Sequence, residues 1–123
     1  MKKKDTVREI SYQFALKIIK LTQNLQIEKK EYIISKQLLK SGTSVGACIR
    51  ESQFAESSAD FIHKLAIALK EANESEYWLS LLIDSGYYSH GELESIVDKN
   101  ISLIKMLTAI IKTKKKNLVN DNH

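Results

Sequence analysis

Apolar residues recur along this chain at three- and four-residue steps in four separate runs, the spacing that places side chains on one face of an α-helix. The first run is Val7, Ile10, Phe14, Ile18, Leu21 and Leu25, with Asp5 before it as the expected N-cap. A second helix is expected to begin near 29–32 and to end around 52–55, carrying Ile34, Leu38, Val45 and Ile49 inward. Ser57 or Ser58 caps a third, whose stripe is Phe61, Leu65, Ala68, Ala72, Leu79 and Ile83 and which closes at Gly86. After the turn GYYSHG, Leu93, Val97, Ile104, Leu107 and Ile111 form the inward stripe of a fourth, which reaches a lysine-rich tail. Proline is absent and glycine occurs only at positions 42, 46, 86 and 91, so little interrupts these helices.

Four helices with short connections pack most economically up and down around one core. The expected fold is therefore all-α, an antiparallel four-helix bundle spanning 1–123 as a single domain, with basic tails at about 1–5 and 113–123. The second helix contains SGTSVGACIRES, and glycine inside a helix costs about 1 kcal/mol relative to alanine. On a helical wheel Gly42 and Gly46 flank the Leu38, Val45 and Ile49 stripe on one side, while Ser41, Ser44 and Cys48 flank it on the other. Close packing against two neighbouring helices would offset the propensity loss.

The fourth helix also carries a second apolar row, Ile96, Leu103, Met106 and Ile110, rotated away from the first. The third has a weaker one in Ile67, Trp78 and Leu81. If one bundle core cannot bury both rows, these residues form an interface between copies, and a homo-oligomer follows. The alternative is that the rows widen the internal core. Two polar residues fall on core faces, Asn100 between Val97 and Ile104, and Glu76 beside Ala72 and Leu79. Such residues fix register or subunit geometry, and Glu76 is expected to meet a lysine, Tyr87 or Tyr88 at a subunit boundary.

Composition removes several function classes. The chain has 123 residues, 43% of them apolar, enough for one core but with no run of about 18 apolar residues that would span a membrane. Its opening residues lead into Asp5 and Arg8 rather than into an apolar signal, so a cytoplasmic location is expected. One cysteine, Cys48, excludes an internal disulfide and a two-cysteine metal motif. Asp60 and His63 share a helical side, but a helical di-iron site needs two such pairs and further carboxylates. No phosphate loop or arginine–histidine ribonuclease pair is present. No catalytic residue, cofactor or metal is expected.

Charge is segregated beneath a net +4. Seven acids and no Lys or Arg lie between Glu71 and Asp98, whereas Lys99, Lys105, Lys112, Lys114, Lys115 and Lys116 follow without an acid through 116. In an up-down bundle Lys2, Lys3, Lys4 and Arg8 would lie beside Lys112, Lys114, Lys115 and Lys116. That basic end is the candidate RNA- or DNA-binding surface. Lysine-rich ends also serve solubility and suit a helix C-terminus.

SGTSVGACIRES and ADFIHKLAIALKEANESEYWLSLL resemble the four-helix bundle proteins typified by the 23S rRNA intervening-sequence protein. Cys48 stands where that family carries asparagine and Ser75 where threonine is common, while Lys70, Glu71, Ala72, Glu74, Tyr77, Trp78 and Leu79 match. The resemblance implies a homopentameric ring without known catalytic residues. The related accessory variability determinant proteins of diversity-generating retroelements imply contact with nucleic acid and with a partner protein, a reverse transcriptase. The expectation is a non-enzymatic homo-oligomer that binds RNA or DNA through basic ends; the alternative is a protein-interaction scaffold.

Overall fold

The computed structural model describes residues 5–121 and shows four helices: α1 (Val7–Ile27), α2 (Ile34–Ser52), α3 (Ser58–Asp84) and α4 (His90–Asp121). α1 packs on α2, α2 on α3, α3 on α4 and α4 on α1, and the diagonal pairs make no close backbone approach among the described residues. Among the described residues no helix is long and apolar enough to cross a membrane.

Each helix begins where local chemistry satisfies its free N–H groups. α1 is capped by Thr6 rather than Asp5: the Glu9 N–H donates to Thr6 Oγ1 and the Glu9 carboxylate accepts from the Thr6 N–H, a capping box. Ser57 caps α3 by accepting from the Asp60 N–H at 3.0 Å. α2 starts at Ile34, later than the expected 29–32, because Lys30 has turned into the left-handed region at φ 56° and Glu31 folds over the new helix end. Its carboxylate accepts N–H bonds from Ile33, Ile34 and Ser35 at 2.8–3.1 Å, replacing a side-chain N-cap. α3 closes at Gly86, whose φ of 89° only glycine adopts cheaply, with the Tyr87 N–H returning to the Leu82 carbonyl.

Side-chain contacts show which ends meet. Arg8 reaches Gln53, Gln26 reaches Ser35, and Lys64 lies 3.5 Å from Glu51. Lys99 donates to Gln13 at 3.1 Å and the Tyr88 hydroxyl to Asn24. Continuing that register sets Val7 level with Lys105, so α4 runs on for about 24 Å past the start of α1. The expected tail from 113 is thus helical through Asp121.

The core is continuous, with Phe14, Ile18, Leu25, Leu38, Val45, Leu65, Leu79, Leu82, Leu103 and Leu107 fully buried. α2 is its narrowest wall. A Cβ on Gly42 would lie 2.9 Å from both Ile18 Cγ atoms, and one on Gly46 3.3 Å from Ser11 Oγ, so both glycines face α1. On the opposite side Ser75 Oγ of α3 donates to Ser41 Oγ at 2.9 Å.

Gly42→Ala should destabilise the fold by about 1–3 kcal/mol in urea titration, because the branched base of Ile18 cannot swing away. Gly46→Ala should fall within about 1 kcal/mol of wild type, since the helix-propensity gain offsets a shift of one hydroxyl. For Glu31, burial pushes the carboxyl up, but the N–H bonds from Ile34, Ser35 and Ile33 outweigh it and hold it below the usual range. A lowered carboxyl stabilises the fold above its unfolded pKa, about 4.3, and that contribution is lost as pH falls through the lower folded value. Glu31→Gln should therefore be less stable than wild type at pH 7, with the difference closing in acid titrations below about pH 4.

Candidate nucleic-acid interface

The overhanging part of α4 carries the proposed basic surface. Lys112, Lys114, Lys115 and Lys116 are all exposed, but they do not point one way. Lys112 and Lys116 are one turn apart on one side, and Lys105, exposed about two turns before Lys112, lies in the same row. Lys114 turns toward α3, its ammonium 5.2 Å from the centre of the Phe61 ring. The dense lysine run from 112 hides Lys105 as a site residue in the linear chain; its spacing of seven and eleven residues from Lys112 and Lys116 is the signal that finds it.

Arg8 is exposed near this end and its guanidinium donates to Gln53 Oε1 at 3.3 Å. Arg50 of α2 is exposed beside the same groove, which holds about 1010 Å³ over Ser11, Ala15, Thr43, Gly46 and Ala47. Glu9, Glu51 and Glu56 intersperse these cations, so the positive field is concentrated on α4. Lys2, Lys3 and Lys4 lie outside the described residues.

The opposite end is less acidic than the linear charge run implies. Lys29 of the α1–α2 connection sits 4.3 Å from the centre of the Tyr88 ring and donates to the Tyr87 carbonyl oxygen, and Lys30 and Lys36 are exposed nearby in the chain. Glu92 is held below the usual carboxylate range chiefly by the Ser89 N–H and hydroxyl, as part of the cap on α4. Glu76 is exposed and has neither tyrosine as its partner: Tyr88 bonds Asn24 and Tyr87 offers its carbonyl to Lys29.

The expected apolar interface is corrected in part. Leu103 is 0% exposed and Ile96 9% within a single protomer, so neither has surface to offer a copy. The reason is that α4 touches both α3 and α1: its buried sector, centred on Asn100, Leu107 and Ile111, falls between the two rows and takes residues from each. Met106, Ile110, Ile67, Trp78 and Leu81 are half-buried. Trp78 donates Nε1–H to Glu74 at 3.2 Å and stands edge-on to Tyr77, ring centres 5.1 Å apart. Exposed apolar side chains lie instead at Tyr12, Leu16, Ile19 and Leu39 on α1 and α2, and at Tyr77 on α3.

Among the described residues, groups suited to catalysis do not gather. Burial, together with Glu51 and Glu71, pushes the half-buried Cys48 thiol up, which keeps it protonated. His63 is exposed, and among the described residues no group of three or more His, Cys, Asp or Glu side chains converges as a metal site would.

A family model described as 23S rRNA-intervening sequence protein matches residues 3–109. A crystal structure from Bacteroides thetaiotaomicron, described as a protein with unknown function from the S23 ribosomal protein family, is 51% identical. It covers 87% of this chain and 99% of its own, with a TM-score of 0.85. No curated protein matches.

Because Leu103 belongs to the protomer core, Leu103→Ala should cost about 2–5 kcal/mol in chemical denaturation. Met106→Ala, at a half-buried position, should cost clearly less.

Proposed function

The chain belongs to the 23S rRNA-intervening sequence protein family, and we propose that it acts as a non-enzymatic nucleic-acid binder. In this reading the four helices form an up-and-down antiparallel bundle that assembles with copies of itself in the cytoplasm, as a pentamer. Each protomer then presents its basic end to RNA or DNA without sequence preference. The observation that carries the reading is the exposed row Lys105, Lys112 and Lys116, with Lys115 beside it, which starts level with the first turn of α1 and continues on the part of α4 that outruns it. Lysines on a helical rod meet phosphates as point charges, and the counterions they release make such binding steeply salt-dependent.

Assembly is supported by two unlike apolar faces on one protomer. One is Tyr12, Leu16, Ile19 and Leu39 on α1 and α2, bordered by Arg8 and Arg50; the other is Tyr77, Trp78 and Leu81 on α3, bordered by Glu71 and Glu74. Closed rings with an odd number of subunits need contacts of this heterologous kind, and the bordering charges are complementary. A ring of parallel protomers would set the lysine-bearing ends side by side. A second reading, a protein-interaction scaffold whose partner is another protein such as a reverse transcriptase, draws on the same apolar faces and leaves the lysines to solubility.

Filter binding of mixed RNA and DNA across salt concentrations separates the readings. Replacing Lys112, Lys114, Lys115 and Lys116 with Gln should weaken binding tenfold or more at low salt. It should also flatten the salt slope by about 0.9 for each duplex phosphate that is no longer neutralised. Unchanged binding would favour the scaffold. Light scattering should show a multiple of 14.0 kDa for wild type and a smaller, still helical particle for Leu16→Glu.

A further inference from the structure

The groove between the second half of α3 and the first half of α4 contains a polar atom that the chain leaves unsatisfied. Asn100 is 1% exposed, and its Nδ2 donates to the Ala72 carbonyl oxygen at 2.9 Å. Its Oδ1 is buried without a partner among the described residues, a position that carries the desolvation penalty of an amide oxygen uncompensated. Asn100 lines a pocket of about 220 Å³ whose apolar lining is Leu79, Ile83, Val97 and Ile101.

The chemistry around that pocket is one-sided. Glu76 and Asp84 line it together with Ser80 and His90, and no lysine or arginine among the described residues does. Their eight-residue separation spreads the two carboxylates over about 12 Å of α3. They are strung along the groove rather than gathered, which agrees with the lack of a metal-like cluster among the described residues. α3 has no basic residue in its last turn, so the partial negative charge of its carbonyl end, beside Asp84, is also without a cation from that turn. The neighbouring start of α4 is closed by its own cap of Ser89 and Glu92.

The missing group therefore donates hydrogen bonds, carries positive charge at more than one point and has an aliphatic body between. We propose that this groove binds a linear aliphatic polyamine. One ammonium group donates to Asn100 Oδ1 and Glu76, the methylenes lie on Leu79, Ile83, Val97 and Ile101, and a second ammonium group sits at Asp84 by the end of α3. An ammonium has three donors and no acceptor, which suits the Asn100 amide oxygen and the two carboxylates, and methylene chains pack on apolar walls while their charged ends stay polar. A water could satisfy Asn100 but would use neither the walls nor the carboxylates. The same alkylammonium chemistry is found in a lysine side chain of a second copy, and the experiment separates the two sources.

The test follows the Asn100 side-chain amide by NMR while spermidine is added to the intact protein, with octane-1,8-diol and magnesium chloride as controls. Saturable binding at one site per chain, with a shift of that amide and no response to the diol, is the expected result. Asn100→Leu should weaken binding at least tenfold. Ser80→Lys, which places an ammonium at the exposed lining of the groove, should do so with helicity unchanged. Equal shifts from magnesium at matched ionic strength, or equal affinity in wild type and Ser80→Lys, would overturn the proposal as diffuse screening. No response to spermidine would leave water as the occupant and overturn it too. A shift that appears on concentrating the protein without added amine would assign the groove to a lysine of a second copy instead.

Discussion

The structure depends on how closely α1 can approach α2. At Gly42 there is no room for even a methyl group in front of Ile18, and at Gly46 the Ser11 hydroxyl occupies the space. This closeness brings Ile18 and Phe14 into the same core as Leu38 and Val45. On its other side α2 meets α3 through the Ser41–Ser75 hydroxyl pair, so a helix with few large side chains serves as the seam between two neighbours. Dispersion contacts fall off steeply with small gaps, and a wider helix here would loosen both seams.

That seam also governs the outer surface. Drawing α1 and α2 together leaves a groove whose lining includes the small residues Ser11, Ala15, Gly46 and Ala47 beside Tyr12, while Leu16, Ile19 and Leu39 stay exposed on the same two helices. α4, against α3 and α1, hides a broad sector.

Much of this is legible in the chain. Helix number, the Ser57 cap, the Gly86 stop and the inward residues of α1 and α2 follow from periodicity and turn chemistry. The placement of Gly42 and Gly46 on one side of α2, with Ser41 on the other, can be drawn on a wheel. What the sequence does not decide is how wide a sector α4 buries: Leu103 and Ile96 are apolar on either reading, and only the position of α1 determines that they face inward. The start of α2 falls later than its pattern suggests because Glu31 caps from outside the helix, a role that belongs to no local motif of Ser, Thr, Asp or Asn. Glu76 and Asn100 look alike in the pattern, yet one is open to solvent and the other is sealed against Ala72.

The overhang of α4 has a mechanical side. Lys112 and Lys116 repel each other across one helical turn, and beyond the start of α1 this rod leans on fewer neighbours than any other part of the bundle. Its outermost turns are the first place for the ladder of backbone hydrogen bonds to open. Any polyanion that neutralises the pair removes the repulsion and stiffens the rod, so grip and rigidity rise together.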